Sequence, residues 1–340
     1  MKKLILTGPR SMVVSDAPTP EPVPGDVLVQ TAVSVLCGSE IKSYRTGEGT
    51  GSNAGHEAAG TVIRVGEGVD PGWIGKRVGA SALSGCGVCD ACRRQIYSWC
   101  PALRFHGAMH SEYFTVAAMS CKELPDSMPW DIGALVSGDG LGVPYHTNTR
   151  IQNPDQVRTI AVFGLGPIGL GNVMLQHHLG RTVIGVDLSP TRLDMARALG
   201  AQTIIRAGET DPVTAIREAT GGRGADICIE AAGMPATLKA CFAAVKSGGQ
   251  ILLNGEQGPT PLSPSDDFIR RDITATGCWF YHFNEIPAMM DLAASGLPLA
   301  KLLTHHFPAE RAAEAYALFA DAQTGKAALH WDLAWKTLRR

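Results

Sequence analysis

The chain reads as an α/β protein in two parts, an irregular β-barrel followed by a doubly wound parallel sheet. Three observations predict this. Residues 1 to about 145 carry short β-branched runs broken by Gly and Pro, the signature of strands joined by turns. From about residue 150 the pattern alternates strand and helix, which implies parallel strands with crossover helices. The first strand of that second part runs into a glycine-rich turn, Gly164-Leu165-Gly166-Pro167-Ile168-Gly169.

In the first part, strands are expected at 26–33, 59–66, 76–79 and 112–116, and the proline-rich stretch 18–24 reads as an extended connector. In the second part, a buried strand is expected at 159–163, then a helix from Leu170 that stops at Gly180. A strand at 182–186 and a helix at 191–199 follow. Further strands fall at 225–229, 250–253 and 273–277, with a helix at 235–245. The division expected is 1–147, 148–280, and a final segment 281–340 that packs back on the first domain. No internal repeat or low-complexity segment interrupts this plan.

Composition narrows the class. The chain has 340 residues, 45% hydrophobic and 18% charged, with a formal net charge of −2. That is enough apolar material for a large core, and nothing in the charge balance attracts nucleic acid or an anionic membrane. The apolar stretch after Lys3 is three residues long, too short for a signal peptide, and no run approaches the roughly 18 apolar residues of a membrane span. With nine cysteines, an odd number, a reducing cytoplasm is the expected compartment.

Four of those cysteines, Cys86, Cys89, Cys92 and Cys100, form a C-x2-C-x2-C-x7-C run. Four thiolates this close can wrap a tetrahedral zinc, and an all-thiolate shell leaves no open position for chemistry, so such a site is structural. Two disulfides are the alternative reading.

The glycine turn sits where a dinucleotide site needs it, after a strand and opening a helix. Gly164 permits the tight turn, Gly166 lets backbone approach a pyrophosphate, and Gly169 lets helix and strand pack closely. The helix N-terminus at Pro167 and Ile168 presents unpaired N–H groups to the phosphates. Asp187 lies eighteen positions beyond Gly169, at the end of the next strand. There a carboxylate accepts hydrogen bonds from ribose hydroxyls and repels a 2′-phosphate, which favours NAD over NADP. Arg192, nearby, can soften that preference or be a solvated helix residue.

Two further elements remain: Cys37 in Leu36-Cys37-Gly38-Ser39-Glu40, and His56 in Gly55-His56-Glu57. With the cysteine run and the nucleotide motif, their order along nearly the whole chain resembles the zinc-dependent medium-chain alcohol dehydrogenase family, closest to its polyol and threonine dehydrogenases. The resemblance implies a GroES-like catalytic domain and a Rossmann NAD-binding domain, with the active site in the cleft between them. It implies two zincs per chain, one structural and one catalytic, and a homo-oligomer, dimer or tetramer. Cys37 and His56 match catalytic zinc ligands, and Glu57 a carboxylate that ligates the metal or sits just behind it. Asp139, seven residues before His146, stands where relatives carry another ligand; the alternative is a turn residue between two glycines. Ser39 matches the family's hydroxyl relay. The relay's usual next member is a histidine, and Lys42 holds that position, as a relay group, a substrate contact or a surface lysine. Glu40 stands as a candidate hydrogen-bond partner of His56.

The implied activity is hydride transfer from a secondary alcohol, a polyol, sugar or related polar alcohol, to NAD. L-threonine 3-dehydrogenase is the neighbouring alternative. A non-catalytic nucleotide-binding protein that keeps a structural zinc is the alternative of another class; retention of Cys37, Ser39, His56 and Glu57 argues against it. Tyr44, Phe105, His106, Trp279, Phe280 and Tyr281 are candidate pocket or interface aromatics, and His305-His306 reads as packing or surface.

Overall fold

The computed structural model describes residues 1–331. The chain separates into two compact units, one formed by Met1–Gly142 together with the chain from His282 onward, the other by Val143–Tyr281.

The first unit is built on a seven-stranded, mostly antiparallel sheet. Its long strand, Asp26–Val35, is buried over nearly its whole length and pairs with three partners: Ala58–Val65, Tyr113–Ala117 and Lys326–His330. Arg77–Ala80 and Cys121–Glu123 extend one side, and Leu303–Pro308 runs parallel to Lys326–His330 on the other. Register shifts in the Asp26–Val35/Ala58–Val65 ladder between Leu28 and Val29 and between Thr31 and Val33 bend the sheet, as bulges do. One core gathers Val27, Val29, Val62, Val78, Phe114 and Val116 inside this sheet. A second packs the hairpin Lys2–Gly8/Ser11–Asp16 and the helix Ala312–Ala320 through Leu4, Leu6, Tyr316 and Phe319.

The second unit is a six-stranded parallel sheet. Its spatial order is Thr203–Arg206, Thr182–Asp187, Thr159–Phe163, Ala225–Glu230, Val245–Leu253, Thr274–Gly277. In chain order that is 3-2-1-4-5-6, the doubly wound arrangement of dinucleotide-binding folds. The central strand is apolar on both faces because helices cover both: Ile160, Ala161, Val162 and Phe163 are all buried. Each such large side chain contributes on the order of 1.5–3 kcal/mol by leaving water.

Several elements begin or end away from the periodicity. The helix expected from Leu170 starts at Pro167, since proline at the first helical position has no N–H to leave unpaired. Thr203–Arg206 was not expected as a strand; four residues are too few to show alternation. Asp139, weighed as a turn residue between glycines, opens the helix Asp139–Thr149, which carries Pro144 inside it. Among the described residues no helix is long and apolar enough to cross a membrane.

Candidate active site and metal centres

Cys37 lies two residues beyond the end of the long strand, and His56 and Glu57 immediately precede Ala58–Val65 beside it; the antiparallel ladder therefore brings the three together. Asp139 arrives from the start of its helix. The ligand atoms of Cys37, His56, Glu57 and Asp139 all lie within 4.8 Å of one another, and all four residues are buried. Asp139 Oδ2 is 3.5 Å from Cys37 Sγ and 3.3 Å from His56 Nε2. Tetrahedral zinc, with bonds of about 2.0–2.3 Å to N, O and S, needs its ligand atoms roughly 3.3–3.7 Å apart, so the cluster fits the ion. Asp139 Oδ1 is buried and without a hydrogen-bond partner, as expected of a carboxylate placed for something other than protein. His56 Nδ1 donates to the Ala54 carbonyl at 3.0 Å, which fixes the tautomer and turns the Nε2 lone pair toward the cluster.

Glu57 is placed differently. Its Oε1 pairs with the Lys326 ammonium, and its Oε2 accepts from the Gly140 N–H at 3.2 Å. Both side chains of the pair are fully buried. Lys326 also donates to the Leu36 carbonyl at 3.3 Å. Electrostatics reflect this crowding. Burial pushes the Cys37 thiol up. For Asp139, burial acts upward but is outweighed by His56, and its pKa is lowered. For His56, burial acts downward but is outweighed by Cys37 and Asp139, and its pKa is raised well above the ordinary value. Burial likewise acts downward on Lys326, and the surrounding anions, Glu57 foremost, raise it.

Ser39 is exposed at the N-terminus of the helix Glu40–Thr46, its hydroxyl making no capping bond. Lys42 is not brought to the cluster: it is a surface lysine on the same helix, 77% exposed and paired to Glu48 at 3.0 Å. Glu40, expected beside His56, is there as a buried ion-pair partner 3.8 Å from its Nδ1, while the Ala54 carbonyl takes the Nδ1 hydrogen bond. Phe105 is exposed with its ring 5.5 Å from that of His56. His106 is buried against Ser84, and Tyr44 against Tyr316. In the second unit Trp279 is exposed, while Phe280 and Tyr281 stack on each other.

The four-cysteine run folds into a knot made by the short helix Asp90–Arg93 and the turn Tyr97–Trp99. None of the four is joined in a disulfide in this structure. Sulfur separations are 3.9 Å for Cys86–Cys92, 3.5 Å for Cys89–Cys92 and 3.8 Å for Cys89–Cys100. Zinc–sulfur bonds of about 2.3 Å in a tetrahedron require about 3.8 Å, so this cluster fits zinc too. Backbone N–H groups of Val88 and Cys89 lower the Cys86 thiol to about 6, while burial raises Cys92 to about 12.

The glycine turn has the expected form. Gly164 has φ +88°, and a Cβ on Gly169 would lie 1.8 Å from the Gly164 carbonyl oxygen, so only glycine fits there. Asp187 Oδ2 accepts from the Leu165 N–H at 2.6 Å and Oδ1 from the Ser189 N–H at 2.8 Å, which ties the strand end to the turn. The Arg192 guanidinium nitrogens lie 4.0 Å from where a Gly166 Cβ would stand.

Sequence reading alone missed Lys326, His110 and Tyr316, which surround these groups. Lys326 carries a signal in retrospect, a charge opening the apolar run Ala327-Ala328-Leu329.

Known proteins resemble this chain over most of its length. Residues 23–126 match the alcohol dehydrogenase GroES-like domain, and 167–295 match the zinc-binding dehydrogenase domain. Sorbitol dehydrogenase of Bacillus subtilis is 30% identical over 330 residues, covering 93% of this chain and 92% of that protein. L-threonine 3-dehydrogenase of Shewanella frigidimarina is 28% identical, covering 93% and 95%. The structure of an alcohol dehydrogenase from E. coli CFT073 complexed with NADH superposes with a TM-score of 0.84 at 25% identity, covering 97% and 99%. The chain belongs to the zinc-dependent medium-chain alcohol dehydrogenase family. Within it, the chain stands with the polyol and threonine dehydrogenases and is an alcohol oxidoreductase.

Proposed function

We propose that the chain transfers hydride from a secondary hydroxyl of a polyol, sugar or related polar alcohol to NAD, with one zinc at Cys37, His56 and Asp139 and a second at Cys86, Cys89, Cys92 and Cys100. The observation that carries the reading is the convergence of a thiol, an imidazole and a carboxylate whose second oxygen is buried without a partner. When bound, zinc supplies Lewis-acid polarisation of a carbon–oxygen bond, and NAD supplies the hydride acceptor.

The chain's own residues do the rest. Cys37, His56 and Asp139 would supply three donors to the ion. Glu57 is held back by Lys326 and the Gly140 N–H, so it serves as a charge behind the ligands rather than as a ligand. Ser39, exposed and without a capping bond, is the group that accepts the hydroxyl proton and passes it to water. The surface position of Lys42 supports a proton path that runs from Ser39 to solvent without it. The glycine turn and the helix from Pro167 take the pyrophosphate; Asp187 takes the ribose hydroxyls and disfavours a 2′-phosphate. Arg192, over Gly166, is a phosphate contact.

The test is NADH formation by zinc-loaded protein with NAD and a panel of polyols, sugars, simple alcohols and L-threonine. Turnover is expected with one polyhydroxylated class. Turnover with threonine alone moves the protein to the threonine dehydrogenases, one of which matches 93% of this chain over 95% of its own length. No NADH from any compound, with NAD bound and both zincs present, overturns the reading in favour of a non-catalytic nucleotide-binding protein.

A further inference from the structure

A chain of buried polar groups runs from Trp331 to the Cys37 main chain and has no part in the reaction described above. The Trp331 indole N–H donates to Ser34 Oγ at 2.9 Å. Ser34 Oγ is 2.8 Å from His110 Nδ1, and His110 Nε2 is 3.1 Å from Glu40 Oε2. The Tyr316 hydroxyl also donates to Glu40 Oε2. Glu40 Oε1 accepts from the Cys37 N–H at 3.2 Å. Ser34, Glu40, His110 and Tyr316 are at most 3% exposed. One donor order leaves every group paired: indole to hydroxyl, hydroxyl to Nδ1, Nε2–H to carboxylate. Networks satisfied throughout hold their members rigidly.

His110 acts on the other ligand by packing. A Cβ on Gly55 would lie 2.4 Å from the His110 ring carbons, so the ring lies directly on the backbone that precedes His56. The same segment is stapled by the Asn53 amide, which donates to the His110 carbonyl at 2.6 Å and accepts from Gly55 N–H at 3.0 Å.

We propose that His110 is a positioning residue for the metal cluster. Through Glu40 it fixes the Cys37 main chain, and through its ring against Gly55 it fixes the approach of His56. The proposal rests on reading Cys37 and His56 as ligands. Groups that orient metal ligands typically change affinity by roughly 10–100-fold when lost.

The test is zinc release from the loaded full-length protein to a chromogenic chelator, with Cys37→Ala identifying the phase that belongs to the Cys37 site. His110→Leu should speed that phase by about tenfold and leave release from the four-cysteine site unchanged. His110→Gln, whose amide N–H can reach Glu40, should restore at least half of the loss on a logarithmic scale. Tyr316→Phe should shift the same phase in the same direction by a smaller factor, and it decides the matter if His110→Leu does not fold. An unchanged Cys37-site phase in these variants overturns the proposal and leaves the ligand reading standing. Equal slowing or speeding of both phases also overturns it, as a general loss of stability. A Cys37→Ala protein that releases zinc like the unmodified chain overturns the ligand reading itself, and the proposal with it.

Discussion

Replacing Lys326 by methionine isolates one buried charge. Lys326 and Glu57 are both fully buried, and their pairing joins the strand Lys326–His330 to the residue that follows His56. Methionine fills similar volume but leaves the Glu57 carboxylate with the Gly140 N–H as its remaining donor. Removing one partner of a buried pair costs about 3–5 kcal/mol, because the other charge stays desolvated. Replacing both by neutral groups relieves that cost, so Glu57→Gln/Lys326→Met should recover at least about 2 kcal/mol of it. Urea unfolding followed by tryptophan fluorescence reads mainly this unit, since Trp73, Trp99, Trp130 and Trp331 belong to it and, among the described residues, Trp279 alone belongs to the other.

The pH dependence has a definite sign. Burial raises the Glu57 carboxyl above the ordinary range even beside Lys326. Without the lysine it rises further above its unfolded value of about 4.3. A carboxyl raised in the folded state binds more protons folded than unfolded, so its contribution is fully present below the unfolded value and lost as pH rises through the folded one. The deficit of Lys326→Met should therefore be smaller at pH 5 than at pH 8. A deficit under about 1 kcal/mol, or one that Glu57→Gln does not relieve, refutes the reasoning.

Three further outcomes are expected. Gly169→Ala should abolish NAD binding in a fluorescence titration while zinc content stays unchanged, because its methyl would meet the Gly164 carbonyl at 1.8 Å. Asp187→Ala should raise KM for NAD at least about tenfold and narrow the preference over NADP, measured as the ratio of kcat/KM for the two cofactors. Asp226 accepts from the Arg158 and Thr159 N–H groups, both at 2.8 Å, and pairs with Lys246 at 2.6 Å. Asp226→Ala should therefore cost about 1–3 kcal/mol in thermal or urea unfolding, by leaving donors unpaired at the start of the central strand.

The two-part plan was legible because both halves depend on local pattern. β-branched runs between turn residues mark strands wherever they pack, and the glycine turn is recognisable because its three glycines each answer a separate steric demand. Strand order was not legible from periodicity, which places residues on faces but not strands beside one another. The surroundings of the candidate site were hidden for a similar reason. Lys326 meets Glu57 across 269 residues of sequence and Tyr316 meets Glu40 across 276, so neither pairing leaves a spacing to find. Lys42 shows the converse. It sits at a relay position by motif, but the helix Glu40–Thr46 turns it to solvent, where Glu48 pairs with it. Glu40 faces inward from the same helix, where it bonds His110, Tyr316 and the Cys37 N–H and also lies 3.8 Å from His56 Nδ1 as an ion-pair partner. Burial acts upward on the Glu40 carboxyl, but His110 foremost, together with His56 and Tyr316, outweighs it and holds the carboxyl down at about 2.

The most direct test of the account joins metal content to turnover in one experiment. Zinc should be measured by elemental analysis alongside NADH formation, for the unmodified chain and for Cys37→Ala. The account predicts two zincs in the first, one in the second, loss of turnover in the second, and equal NAD binding in both. A Cys37→Ala protein that carries one zinc and turns over at the full rate would contradict it.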